Sequence, residues 1–141
     1  MPDAGGPPDG ADCRRPWVEP VDAAVVDPFR PPDRVYGPGN RGIEYGVEPG
    51  QPVVAVDGGV VAFAGPVAGS PVVVIDHGGG LRSSFVHLAD RSVGRGEVVS
   101  RGRAIGSAGP GFHLGARVGG RYIDPAELVD RRCEVVRLVP P

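Results

Sequence analysis

The stretch "VVAVDGGVVAFAGPVAGSPVVVIDHGGG", residues 53–80, constrains the fold most. Its β-branched runs are four to six residues long, and glycine, proline or aspartate closes each one. A helix needs longer uninterrupted segments and tolerates such glycines poorly. Short valine-rich runs at regular spacing, with turn residues between them, predict an all-β sandwich or barrel. The chain holds 24 Gly and 17 Pro. That content suits a low-complexity chain when it is spread without pattern, but from residue 42 onward the glycines mark the ends of apolar runs. A length of 141 residues suits one domain with a modest core.

The same pattern predicts strands at Ile43–Tyr45, Pro52–Val56, Gly59–Ala64, Pro71–Asp76, Leu81–His87, Glu97–Val99, Ala104–Ser107, Leu114–Val118 and Arg121–Ile123. Hairpin turns are expected at "VDGG" (56–59), at "HGGG" (77–80) and at "VGG" before Arg121, because glycine accepts positive φ without steric cost. "IDPAEL" predicts one helical turn, with Asp124 as its cap and Pro125 at its first position. Residues 1–20 read as a flexible Pro/Gly-rich tail and residues 21–141 as one domain. That domain opens with a loop-rich, extended segment over 21–52. Cys13 and Cys133 are far apart in sequence. Pairing them would pin the tail to the last strand and imply an oxidising compartment; the alternative is two unrelated thiols.

Several function classes are excluded. All 15 basic residues are arginine and the net charge is −2. The arginines are scattered among acids with no basic stripe, so nucleic-acid binding is not expected. Without lysine there is no phosphate loop and no modifiable residue for a lipoyl or biotinyl carrier. No apolar run reaches the ~18 residues of a membrane span. The start shows no apolar signal core, so no signal peptide is visible in this chain. Ser83, Ser84 and His87 lie on one strand and do not by themselves form a nucleophile–base–orienter set.

Three histidines, His77, His87 and His113, carry the remaining chemistry. Taken one by one they read as structural residues. Their surroundings say more. "PGQPVVAVDGGVVAFAG", "VVVIDHGGGLRSSFVHL" and "VGRGEVVSRGRAIGSAG" follow one another in the order seen in the lysostaphin/LytM-type zinc metallopeptidases, peptidase family M23. The chain resembles that family over about residues 38–129. The resemblance implies a compact antiparallel β-sandwich of the LytM, or duplicated hybrid motif, type with a groove across one sheet.

The family binds zinc through His-x-Gly-x-Asp and through the second histidine of His-x-His. By resemblance, Asn40 and Glu44 of "NRGIE" occupy the first two ligand positions, and His113 of "GPGFHLGARV" the third. Gly111 occupies the position of the first histidine of His-x-His, which assists catalysis in the family. His87 of "SFVHL" retains the other catalytic histidine, and His77 falls on a structural position. Only His113 matches a family ligand. An amide oxygen is a poor zinc donor and suits harder ions, while Glu44 reaches one methylene further than aspartate. The resemblance therefore implies a degenerate member with no cofactor, or zinc only if the site functions.

Three arrangements stay open for Asn40, Glu44 and His113: hydrogen bonding without metal, zinc held by Glu44, His113 and His87, and an active endopeptidase with unusual ligands that cleaves peptidoglycan cross-links. The first implies a bacterial cell-envelope module outside the cytoplasm. Its partners would be a peptidoglycan stem peptide or cross-bridge, or a cell-wall hydrolase that it regulates. Arg41 and Arg117 are candidate contacts for stem-peptide carboxylates. Trp17, Phe29, Tyr36, Tyr45 and Phe112 suit either a ligand-binding face or the core.

Overall fold

The structure, a computed structural model, describes residues 15–30 and 39–130. Its strands are β1 (Val25–Asp27), β2 (Gly42–Tyr45), β3 (Pro52–Val54), β4 (Gly59–Val67), β5 (Ser70–Gly78), β6 (Leu81–Arg91), β7 (Val98–Val99), β8 (Ala104–Val118) and β9 (Arg121–Ile123). All strand pairs are antiparallel, in the order β1-β2-β8-β6-β5-β4-β7, with β3 and β9 also pairing β8. The described residues contain no α-helix. The all-β antiparallel fold is thus the one the valine runs predict.

Alternation along the strands builds the core. On β6, Ser83 and Phe85 point inward and are fully buried, while Arg82 and Ser84 face the other way. On β8, Leu114 and Ala116 are buried between His113, Gly115 and Arg117. Ile43, Tyr45, Val73, Ile75, Ile105 and Phe112 complete the packed interior. A fully buried side chain of this size contributes about 1.5–3 kcal/mol, so the inward rows hold the sheet. The outward rows are left for chemistry.

The turns follow the glycines in two of the three expected places. Gly78, Gly79 and Gly80 close the β5–β6 hairpin with positive φ, and Gly119 and Gly120 close β8–β9. The hairpin expected at 56–59 is not there. β3 pairs β8, whereas β4 pairs β5 and β7, so this segment carries the chain between partners. A hairpin that was not foreseen joins β4 to β5 through Ala68 and Gly69, both left-handed.

Two segments differ further from expectation. The two strands expected at 104–107 and 114–118 are one strand, interrupted by an excursion. Leu88 pairs Ala108 and Val86 pairs His113, so residues 109–112 bulge opposite His87. The stretch read as a tail is also ordered over its described part. Trp17 is fully buried, forms a parallel bridge with Val129 and packs its ring 5.5 Å from that of His77. Val18 and Val54 donate backbone hydrogen bonds to Val56 and Pro20 respectively. The turn at Pro125–Glu127 is a single 3-10 turn, capped by the Asp124 carboxylate, which accepts from the Ala126 N–H at 2.9 Å. Cys13, Cys133 and Tyr36 lie outside the described residues.

Candidate functional site

The site is built by cross-strand register. Asp27 of β1 pairs Glu44 of β2, Glu44 pairs His113 of β8, and His113 pairs Val86 of β6. Directly opposed residues in a sheet share a face, so one row carries two carboxylates and an imidazole across three strands. Sequence reasoning brought Glu44 and His113 together by resemblance, and the register does so physically. Asp27 was missed. Its place next to Glu44 depends on β1 pairing, and "VVD" is too short a run to announce a strand.

His113 lies against the sheet floor. A Cβ at Gly42 would come within 2.3 Å of its Nε2, so the ring folds over a position only glycine can fill. Burial pushes the His113 pKa below its ordinary value, and the charge of nearby His87 adds to this; Glu44 and Asp27 pull it the other way without winning. The ring therefore favours its neutral form, the form that can ligate or accept a proton.

His87 sits at the turn of the β6–β8 bulge with φ of 63°. Its Nδ1 lies 3.1 Å from the Gly111 carbonyl. A carbonyl only accepts, so Nδ1 carries a proton and donates it to this bond. Gly111 itself has φ of 80°, and a Cβ there would lie 3.2 Å from the same Nδ1. The backbone at Gly111 is thus shaped for glycine.

Asn40 is anchored through its amide nitrogen. Its Nδ2 donates to the carbonyls of Asp27 at 3.1 Å and Pro28 at 2.9 Å. Its backbone exchanges two hydrogen bonds with Arg30. The residue ties the segment around β1 to the start of β2. Arg30 in turn forms an ion pair with Asp27.

These residues do not fit a zinc site of the usual three-ligand kind. Zinc takes thiolate, imidazole or carboxylate donors. The Asn40 Nδ2 donates to two backbone carbonyls, and its Oδ1 is a neutral amide oxygen rather than a donor of these kinds, which leaves Glu44 and His113. Among the described residues, no group of three His, Cys, Asp or Glu side chains is close enough together to hold a metal ion.

The other residues singled out in the sequence sort clearly. His77 is on the core side, with Nδ1 donating to the Gly58 carbonyl at 2.7 Å and Nε2 at 2.8 Å from the Ser83 hydroxyl. Trp17, Tyr45 and Phe112 are buried, the last two with rings 5.9 Å apart, and Phe29 packs against the core. Their role is packing. Exposed aromatics are found instead at Phe63 and Tyr122. Arg117 lies on the same outward face of β8 as His113, its guanidinium 5.7 Å from the centre of the Tyr122 ring.

The sequence profile of peptidase family M23 matches residues 38–125, the segment from just before Asn40 to the start of the 3-10 turn. The chain belongs to peptidase family M23. An uncharacterized protein of Mycobacterium tuberculosis is 35% identical over 92% of this chain and 56% of its own length. The DD-carboxypeptidase/endopeptidase Mpg of Neisseria meningitidis is 34% identical over 63% of this chain and 22% of its own length. The chain thus spans about half or less of the curated relatives it matches. Among solved structures, Helicobacter pylori Csd3 superposes with a TM-score of 0.74 at 26% identity, covering 82% of this chain and 35% of Csd3. A chain of the SpoIIQ–SpoIIIAH pore-forming complex superposes at 0.70 and 22% identity, covering 90% and 99%, and shares the fold. No helix among the described residues is long and apolar enough to cross a membrane.

Proposed function

We propose that this chain is a non-hydrolytic member of peptidase family M23 that binds peptidoglycan peptides, or a wall hydrolase acting on them, in the bacterial cell envelope. One observation carries the reading: Asn40 brings a neutral amide rather than an imidazole or carboxylate, and its Nδ2 is held by the carbonyls of Asp27 and Pro28. The position that would open a ligand set instead fastens β1 beside β2. Gly111 supports it, since a glycine held at φ of 80° has no group with which to exchange a proton. Metal-assisted peptide hydrolysis needs both an activated water and a proton-transfer group. The wall as target is supported by relatives such as the DD-carboxypeptidase/endopeptidase of Neisseria. An extracytoplasmic location follows from the same reading.

A second reading is an active zinc endopeptidase with unusual ligands, Glu44 and His113 among them. It is favoured by the charges of His87 and Glu44 both acting on His113. That reading needs His87 free as the acid–base group, because zinc held by Glu44, His113 and His87 together would leave none for cleavage. Incubation with purified peptidoglycan separates the two. The proposed function expects the protein to sediment with the wall material while its turbidity stays constant. Clearing of the suspension that stops with a chelator would establish the second reading.

A further inference from the structure

The outward face of the sheet carries two rows of charge. The first is Asp27, Glu44 and His113. The second follows from register two pairs further along β8: Asp76 of β5 pairs Arg82 of β6, Arg82 pairs Arg117 of β8, and Arg117 pairs Tyr122 of β9. Between the rows lie Gly42, Gly115 and Ser84, again paired across the strands. The His113 ring folds over Gly42, and a Cβ at Gly115 would come within 2.5 Å of the Ser84 hydroxyl oxygen, so an imidazole and a hydroxyl form the floor between the rows.

Each row neutralises itself in part and leaves one charge over. Asp27 is paired with Arg30, which leaves Glu44. Asp76 is paired with Arg82 at 3.4 Å, which leaves Arg117. Among the described residues neither Glu44 nor Arg117 is in a salt bridge. His113 and Arg117 are four positions apart on β8, which at ~3.3 Å per residue places the two rows about 13 Å apart.

We propose that this face binds a short extended peptide with both ends free, its ammonium on Glu44 and its carboxylate on Arg117. The spacing matches a chain of about four residues at the same rise. The Ser84 hydroxyl lies midway, where it can meet the peptide backbone, and the Tyr122 ring supports the guanidinium from the side. The inference rests on the wall-binding reading only for the source of the peptide; the charges and spacing stand without it.

The probe is tetra-alanine, titrated into ¹⁵N-labelled protein while the amide signals of Gly42 and Gly115 are followed. The free peptide is expected to shift both signals saturably. N-acetylation or C-amidation should each weaken binding about tenfold, as loss of a charge-assisted contact does. In Glu44→Gln the effect of acetylation should vanish and that of amidation remain. In Arg117→Met the reverse should hold. No shift with the free peptide at millimolar concentration, or cap effects that persist unchanged in both variants, overturns the proposal. Sedimentation with wall material is read separately. Wall binding without tetra-alanine binding removes this inference and leaves the proposed function. Cap-dependent tetra-alanine binding without wall binding does the opposite.

Discussion

His87 and Gly111 face each other across the β6–β8 bulge, both with left-handed backbone, and the His87 Nδ1–H reaches the Gly111 carbonyl at 3.1 Å. This pairing keeps a proton on Nδ1 and holds the His87 ring close against position 111. A histidine at position 111 would have to take a positive φ and place its Cβ 3.2 Å from His87. The backbone at position 111 is therefore set for glycine.

Gly111→His should consequently lower stability, by about 1–3 kcal/mol, the usual cost of a side chain held in a sparsely populated backbone region. Urea denaturation of the variant against the parent measures it. A variant as stable as the parent would show that the bulge relaxes freely and that the backbone does not bar a histidine.

Trp17 is the sole tryptophan of the chain and is fully buried against His77. Trp17→Ala should cost about 3–5 kcal/mol, as large-to-small changes in a packed core do. In the parent, the fluorescence should be blue-shifted in the native state and move to the red on unfolding. Emission typical of water-exposed indole in the native protein would contradict the packing of residues 15–20 against the sheet.

Asn40→Ala removes two hydrogen bonds that hold the segment around β1. The expected loss is about 1–3 kcal/mol, concentrated in faster amide exchange at Ala24 to Arg30. Exchange unchanged there would mean that the backbone bridge between Arg30 and Asn40 holds the segment alone.

His113 supplies a pH dependence with a definite sign. Burial, then the charge of His87, lowers its folded pKa below the ordinary imidazole value. Protons therefore bind the unfolded chain more readily. The contribution to stability is full above that ordinary value, near 6.5. It declines as pH falls through it and toward the lower folded pKa. Denaturation midpoints measured between neutral and mildly acidic pH should fall for the parent and fall less for His113→Gln. Equal slopes would show that other groups govern the dependence.

Much of the fold was legible in the sequence because its signals are local. Glycines 78–80 announce a hairpin wherever the strands go, and alternation places Phe85 and Leu114 inward without knowledge of their partners. The missed features all depend on long-range pairing. The "VDGG" segment has the residues of a hairpin, yet β3 and β4 belong to different neighbours. The gap expected between residues 107 and 114 is a bulge in a continuous strand, created by the chain opposite it. Asp27 joins the candidate site only because β1 pairs β2. The family resemblance named Asn40, Glu44, Gly111, His87 and His113, but the direction in which Asn40 points is decided by the carbonyls of Asp27 and Pro28, which no local pattern foretells.

The central claim is that Asn40 and Gly111 leave the site without a working zinc centre. Calorimetric titration of zinc into metal-stripped protein, with His113→Ala alongside, tests it most directly. The account predicts no saturable heat that the variant lacks. One-to-one binding with sub-micromolar affinity, abolished by His113→Ala, would contradict it and establish Glu44, His113 and His87 as a metal site.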